Sequence, residues 1–247
     1  MNLSVHRSIG IALSVALTAR AVQAQAPVDS VSRSSFSGFV LAHRTTSAAV
    51  GILAGAATIS LFDRSIADEM QEFRASSGSG MQHVSLLTSS IGGYLPLAAG
   101  GTLAVTGWAF HNTFTKHLGL DVTKAVVTSG VITAAIKGTV GRVRPRTMPE
   151  DPDMYYPGRG FFNNDRASFP SGHTSAAFAG ASVLALELSK AHPRHSRWIT
   201  LGLYGAATAV GFSRMYENAH WASDVFAGAA IGTLSGYHAA HQRLAHP

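Results

Sequence analysis

The chain of 247 residues contains no cysteine. That excludes disulfides, thiolate metal sites and lipidated cysteines. It is also poor in charge, with 13% Asp, Glu, Lys and Arg, about half the share usual in a soluble protein. Mean hydropathy is correspondingly positive at +0.16, which points toward a membrane. Long apolar runs are nonetheless scarce. Of its apolar segments, only residues 84–110 clear the length of about 18 residues expected of a spanning helix. No cluster of Lys and Arg of the nucleic-acid type occurs, so the net charge of +6 points to acidic lipid headgroups or phosphorylated substrates and not to nucleic acid. Histidines such as His83, His111, His117, His192 and His238 show no metal-ligand spacing and are expected at interfaces and surfaces.

What the chain does have is 46% hydrophobic residues, enough for one substantial core. Residues 1–24 have the pattern of a cleaved secretory signal: His6 and Arg7 open it, residues 9–19 are apolar, Arg20 closes the run, and Val22, Ala24 and Ala26 supply small residues for cleavage. Residues 25–35 are then a polar mature N-terminus, and 36–247 a single domain. Within it, six Ala/Gly/Leu/Val-rich segments (47–62, 84–110, 125–136, 174–186, 198–213 and 225–240) have lengths that suit helices, separated by residues that end them. The expectation is an all-α bundle of six helices. Asp63, Arg64, Asp68 and Glu69 are expected as an interfacial charge cluster. Trp108, Trp198 and Trp221 sit at segment ends, as in a membrane-interface belt or at ordinary core edges. Residues 138–169 are the one long irregular stretch, rich in Arg, Asp and Pro, and are expected to form a lid or rim over a site.

Three clusters carry chemistry. The first is Lys137 with Arg142, Arg144 and Pro145; the second is Ser168-Phe169-Pro170-Ser171-Gly172-His173; the third runs from Ser213-Arg214 to His220 and Asp224. Pro170-Ser171-Gly172-His173 ends a polar segment and opens an apolar one, so it reads as a helix N-terminus offering backbone N–H groups to an anion, with a proton carrier beside it. Phosphoryl transfer needs positive charge around the non-bridging oxygens, an in-line nucleophile and an acid for the leaving oxygen. Lys137, Arg144 and Arg214 can supply the charge, Ser171 and the Gly172 N–H complete the cradle, and His220 with Asp224 four residues on can present an oriented imidazole.

In order and composition these clusters, K-x6-R-P, P-S-G-H and S-R-x5-H-x3-D, resemble the phosphatidic acid phosphatase type 2 superfamily. That superfamily also holds bacterial class A acid phosphatases, glucose-6-phosphatase and vanadium haloperoxidases. The resemblance covers roughly residues 115–240 and implies a helical bundle with the active site at one end. It implies that the histidine matching His220 attacks phosphorus, that the one matching His173 protonates the leaving alcohol, that Asp224 orients His220, and that neither metal nor cofactor is used. The Ser168-to-Ser175 string looks more like the membrane-type lipid phosphatases, so the expected substrate is a lipid phosphate or pyrophosphate. The expected location is the cell envelope, with the site facing the periplasm. A soluble periplasmic acid phosphatase acting on small phosphomonoesters and a vanadate-dependent haloperoxidase are the alternatives.

Overall fold

The computed structural model describes residues 44–245. The expected signal (1–24), polar N-terminus (25–35) and domain start at residue 36 lie outside them. The described residues from Val50 onward form one compact unit.

Seven α-helices occur among the described residues: α1 (Arg44–Ser60), α2 (Asp63–Ser76), α3 (Ser79–Ala109), α4 (Thr113–Val140), α5 (Gly172–Ala191), α6 (Ser196–Tyr216) and α7 (Ala222–Ala245). All six expected segments lie within helices, and α2 is the addition. Its amphipathic, charge-rich sequence falls outside a search for apolar runs. Helix α4 begins well before the expected residue 125, because Lys116, Asp121 and Lys124 interrupt the apolar pattern without ending the helix. Its true start is marked by Asn112, whose side chain accepts the Thr115 N–H at 2.9 Å. Its end is marked by Gly141 in the left-handed region, φ 64°. A Cβ there would also lie 1.8 Å from the Tyr156 carbonyl oxygen, so only glycine lets residues 156–158 close over the end of α4.

Helix α5 is the centre of the bundle, packed against α3, α4, α6 and α7. Its core is made of small side chains: Ala179 and Val183 meet Leu118, Val122, Ala125 and Val126 of α4 and Ala239 of α7. Ala177 and Ala181 meet Ala207 and Val210 of α6. Helices α5 and α7 approach closely along a seam where Gly228, Gly232 and Gly236 recur every fourth residue. A Cβ on any of them would lie 2.2–2.6 Å from a backbone carbonyl of Ser171, Ser175 or Ala179. This seam brings the start of α7 against the start of α5, and so joins the second and third motif clusters.

One described helix, α4, is long and apolar enough to cross a membrane, and α1 from Ser47 with α2, bent by 61°, passes only as a pair. The 84–110 run, expected to be the spanning one, is not among them. Although α3 is uncharged there, Ser, Thr and Gly recur along it and dilute its apolar character.

Candidate active site

The connection from Gly141 to Pro170, expected as a lid or rim, is anchored in the interior at both ends. Residues 141–145 and Ala167, Ser168 and Pro170 are buried, so its two ends run beneath the helix termini and leave only the middle in solvent. An interior path without regular structure must satisfy its polar groups, and here it does so with the motif side chains. Lys137, on the last turn of α4, donates to the carbonyls of Ala167 (2.7 Å) and Ser168 (3.1 Å). Arg144 donates from Nε to the Asn164 carbonyl (2.8 Å), from Nη2 to Asn164 Oδ1 (3.1 Å) and the Ala167 carbonyl (3.2 Å), and from Nη1 to the Ala219 carbonyl (2.7 Å).

The remaining N–H of Arg144 Nη1 points at His220 Nε2, 3.2 Å away. A guanidinium can only donate, so Nε2 holds a lone pair and the imidazole proton sits on Nδ1. Nδ1 faces Asp224 Oδ2 at 3.5 Å, a few tenths of an ångström beyond hydrogen-bond length. Burial, and then the nearby Lys137 charge, hold the His220 pKa well below its ordinary value against the pull of Asp224. The ring is therefore neutral at physiological pH, with its lone pair aimed at a cation.

Asp224 is immobilised from every side. Oδ2 accepts from Ser168 Oγ (2.5 Å) and the Trp221 N–H (2.9 Å), and Oδ1 from Arg142 Nη1 (2.8 Å). Burial alone would raise its pKa, but Arg142, His220 and Ser168 outweigh it and hold the carboxyl below its usual range. Arg142 also donates from Nη2 to Asp63 Oδ2 (2.7 Å), from Nη1 to Ser223 Oγ (2.7 Å), and from Nε and Nη2 to the Pro152 carbonyl (3.0 and 2.8 Å). Asp63 accepts the Ser223 N–H at 2.9 Å.

Asp63 is therefore not part of an interfacial charge cluster. It lies fully buried at the start of α2 and ties that helix to the site through Arg142, whose single positive charge is shared between two carboxylates: Asp224 is held below its usual pKa range, whereas burial raises the pKa of Asp63 against the pull of Arg142. Trp221 likewise lies in the core, with Nε1 donating to the Val143 carbonyl at 2.9 Å. Trp108 and Trp198 are exposed.

His173 lies on the first turn of α5. Among the described residues no hydrogen bond holds its ring, which packs over α3 at Gly93, where a Cβ would lie 2.9 Å from Nε2. Burial, then Arg214, Lys137 and Arg144, lower its pKa to about 4. Gly172 faces Lys137, with 3.6 Å between Lys137 Cε and a Cβ placed at 172. Ser171 caps α5 by position only; its Oγ pairs with Thr174 Oγ1 at 2.9 Å, and its N–H donates to the Asp224 carbonyl at 2.9 Å. Arg214, on the last turn of α6, is bound through Nη1 to Glu217 Oε2 at 2.7 Å and to Ser89 Oγ.

All eight residues singled out from sequence thus lie together at one end of the bundle, His220 with Asp224 forming one wall and His173 another, with Lys137 and Arg144 near both histidines and Arg214 near His173. Sequence reasoning missed Asp63, Ser168 as a ligand of Asp224, Arg142 as its counter-ion, Glu217 and Gly93. Only Arg142 and Ser168 carried a signal, through their places inside motif clusters.

Residues 118–246 match the model of the PAP2 superfamily. Lipid A 1-phosphatase of Porphyromonas gingivalis is 31% identical over 180 residues, covering 72% of this chain and 35% of that protein. Lipid phosphate phosphatase 1 of Arabidopsis thaliana is 40% identical over 137 residues, covering 48% and 42%. The chain thus spans less than half the length of these relatives. Among solved structures, a transmembrane PAP2 type phosphatidylglycerolphosphate phosphatase from Bacillus subtilis superposes with a TM-score of 0.64 at 21% identity, covering 82% of this chain and 96% of that one. Aquifex aeolicus LpxE gives 0.50 at 23%, covering 70% and 92%. The helical fold is common to all three, and with the family model matching more than half of its length, this chain belongs to the PAP2 superfamily.

Proposed function

We propose that the chain is a membrane-associated phosphatase that hydrolyses a lipid phosphate or pyrophosphate through a phosphohistidine on His220. The observation that carries this reading is the 3.2 Å contact between Arg144 Nη1 and His220 Nε2. A phosphate oxygen that takes over the Arg144 N–H brings phosphorus to the Nε2 lone pair. Nε2 then attacks, the P–O bond to the leaving group breaks, and His173 passes its proton to the departing oxygen. In the second half, His173 takes a proton from water, the hydroxide oxygen bonds to phosphorus, and the N–P bond breaks to release phosphate. Proton transfer to Asp224 is unnecessary; its charge stabilises the cationic imidazole formed on attack.

A lipid substrate is supported by the relatives named as lipid phosphatases and by the outer surface. Val84, Leu87, Ile91, Tyr94, Val105 and Trp108 of α3, and Val127 and Val131 of α4, are exposed. An apolar surface of that extent belongs against lipid, where it is not exposed to water. It disfavours a soluble acid phosphatase. We assign the site to the periplasmic side, which the resemblance to the membrane-type lipid phosphatases implies.

The test is rapid acid-free quenching of purified protein turning over ³²P-labelled phosphatidate. A covalent, alkali-stable label present in wild type and missing in His220→Ala is expected, and turnover without any such label in a burst experiment overturns the mechanism. For sidedness, a cysteine in place of exposed Glu150 is labelled by an impermeant maleimide in intact spheroplasts; labelling only after lysis refutes the periplasmic assignment. Ser168 is unsuitable for this purpose, because its hydroxyl holds Asp224.

A further inference from the structure

The three cationic residues of the cradle are not equivalent. Every N–H of Arg144 is already engaged by carbonyls, the Asn164 side chain or His220, and Lys137 is held by two carbonyls. Arg214 is bound only through Nη1, to Glu217 and Ser89. Its Nε is buried without a partner. The Nε–Nη2 edge, the face through which a guanidinium grips two phosphate oxygens at once, is therefore unpaired among the described residues.

A buried N–H without an acceptor is costly, and what keeps it in place is the grip on the other edge. Glu217 caps α6 three residues after Arg214, where such a pair is usually a loose surface contact. Here the two side chains are only 11% and 18% exposed. The carboxylate is itself held from α3: Glu217 Oε1 accepts from Ser85 Oγ at 3.2 Å. Ser85 and Ser89 are one turn apart on a buried face of α3, so both N-terminal-turn serines of that face reach the same ion pair, and Gly93, one turn further, faces His173.

We propose that Glu217, braced by Ser85 and joined by Ser89 in holding Arg214 Nη1, is the positioning residue that turns the unpaired Nε–Nη2 edge of Arg214 toward the phosphate. This rests on the phosphatase reading of the site. Glu217 does not touch substrate. It fixes one edge of the guanidinium so that the other is presented in advance, and it withholds a unit of positive charge from a cradle that already crowds three cations around His173.

The two parts of that role act in opposite directions on affinity, which makes them separable. If orientation dominates, Glu217→Ala weakens binding; if the carboxylate merely offsets charge, its removal tightens binding of a dianion. The experiment measures KM, kcat and the inhibition constant of inorganic phosphate for full-length Glu217→Ala, Glu217→Gln, Arg214→Ala and the Glu217→Ala/Arg214→Ala double variant. Expected are a rise of about tenfold in KM and in the phosphate constant for Glu217→Ala, with near-recovery in Glu217→Gln, which keeps an acceptor for Arg214. The double variant should be no worse than Arg214→Ala alone. A purely structural role would make the two losses additive, and that result, or tighter phosphate binding in Glu217→Ala, overturns the proposal. Should Glu217→Ala fold poorly, the same comparison is made with Ser85→Ala, which removes the brace on Glu217; a phosphate constant unchanged from wild type there overturns it too. An unchanged phosphate constant in Arg214→Ala alone instead refutes the underlying assignment of Arg214 as a phosphate ligand.

Discussion

The two walls of the site are built on opposite plans. Behind His220 every polar atom of Asp224 has a partner: Arg142, Ser168 and Trp221 fix it, and Asp63 with Ser223 fixes Arg142 in turn. Around His173 there is, among the described residues, no hydrogen bond to the ring, only the absence of a side chain at Gly93. A nucleophile gains from being aimed before substrate arrives, because orientation prepaid by folding is not charged to the reaction. An acid that becomes a base within one cycle must instead change its protonation state, so its surroundings are left free to respond to the charge of the bound phosphate. The rigid wall should therefore fail through loss of structure or aim, and the loose wall through changes in proton transfer.

The largest effect is expected at the nucleophile itself. His220→Ala should lower kcat by at least about 10⁴-fold, the scale on which removal of a covalent nucleophile acts, while phosphate still binds as an inhibitor, because the cations are untouched. Vanishing phosphate affinity in a folded His220→Ala protein would show that the two walls are not independent.

Next comes the support of that wall. Arg142→Ala leaves the carboxylates of Asp63 and Asp224 buried and unneutralised and should cost about 3–5 kcal/mol of stability, read from chemical denaturation. The accompanying loss of kcat should be partly restored by Asp63→Asn in the same chain, since one of the two stranded charges is removed. Equal stability of Arg142→Ala and wild type would dismiss the buried network as the brace.

On the loose wall the effect depends on the leaving group. His173→Ala should slow alkyl phosphates by about 10²–10⁴-fold and p-nitrophenyl phosphate far less, since that leaving group departs without a proton. Gly93→Ala, whose methyl would press on Nε2, should show the same selectivity in weaker form, up to about 10²-fold. Identical losses on good and poor leaving groups would remove His173 from the acid role.

The smallest and most diagnostic effect is protonic. In the empty site His173 has its pKa lowered to about 4 by burial and by Arg214, Lys137 and Arg144. A bound dianion offsets those cations and raises it. Between about pH 4 and 6.5, binding of sulfate, a dianion throughout that range, should therefore take up a proton, measured by calorimetry in two buffers of different ionisation enthalpy. The same lowered pKa means that the free protein loses stability as pH falls through 6.5 toward 4, since the unfolded chain binds the proton more readily. Added sulfate should lessen that loss, and a binding enthalpy independent of buffer would contradict the linkage.

Much of the site was legible because short-range patterns encode it. Lys137, Arg144, Ser171, Gly172, His173, Arg214, His220 and Asp224 stand in three local strings, and helix lengths follow from uncharged runs whatever the tertiary context. The polar turn before Ser171 and the apolar run after it were enough to locate a helix N-terminus facing an anion. What the amino-acid order alone determined, then, is the chemistry of the groups and the helical character of the segments carrying them, since both depend on residue type and spacing within a few turns. Tertiary structure decided which charges are stabilised and by what. Asp63 sits in a charged, amphipathic stretch that reads as surface, and only the fold carries it to Ser223, 160 residues away. Glu217 reads as an ordinary partner for the arginine three residues before it until Ser85 of α3 closes over it, and Gly93 is one of many glycines until His173 packs on it. In each case the physical reason is the same: burial and long-range contact set the energy of a charge or the room for a ring, and neither is periodic along the chain.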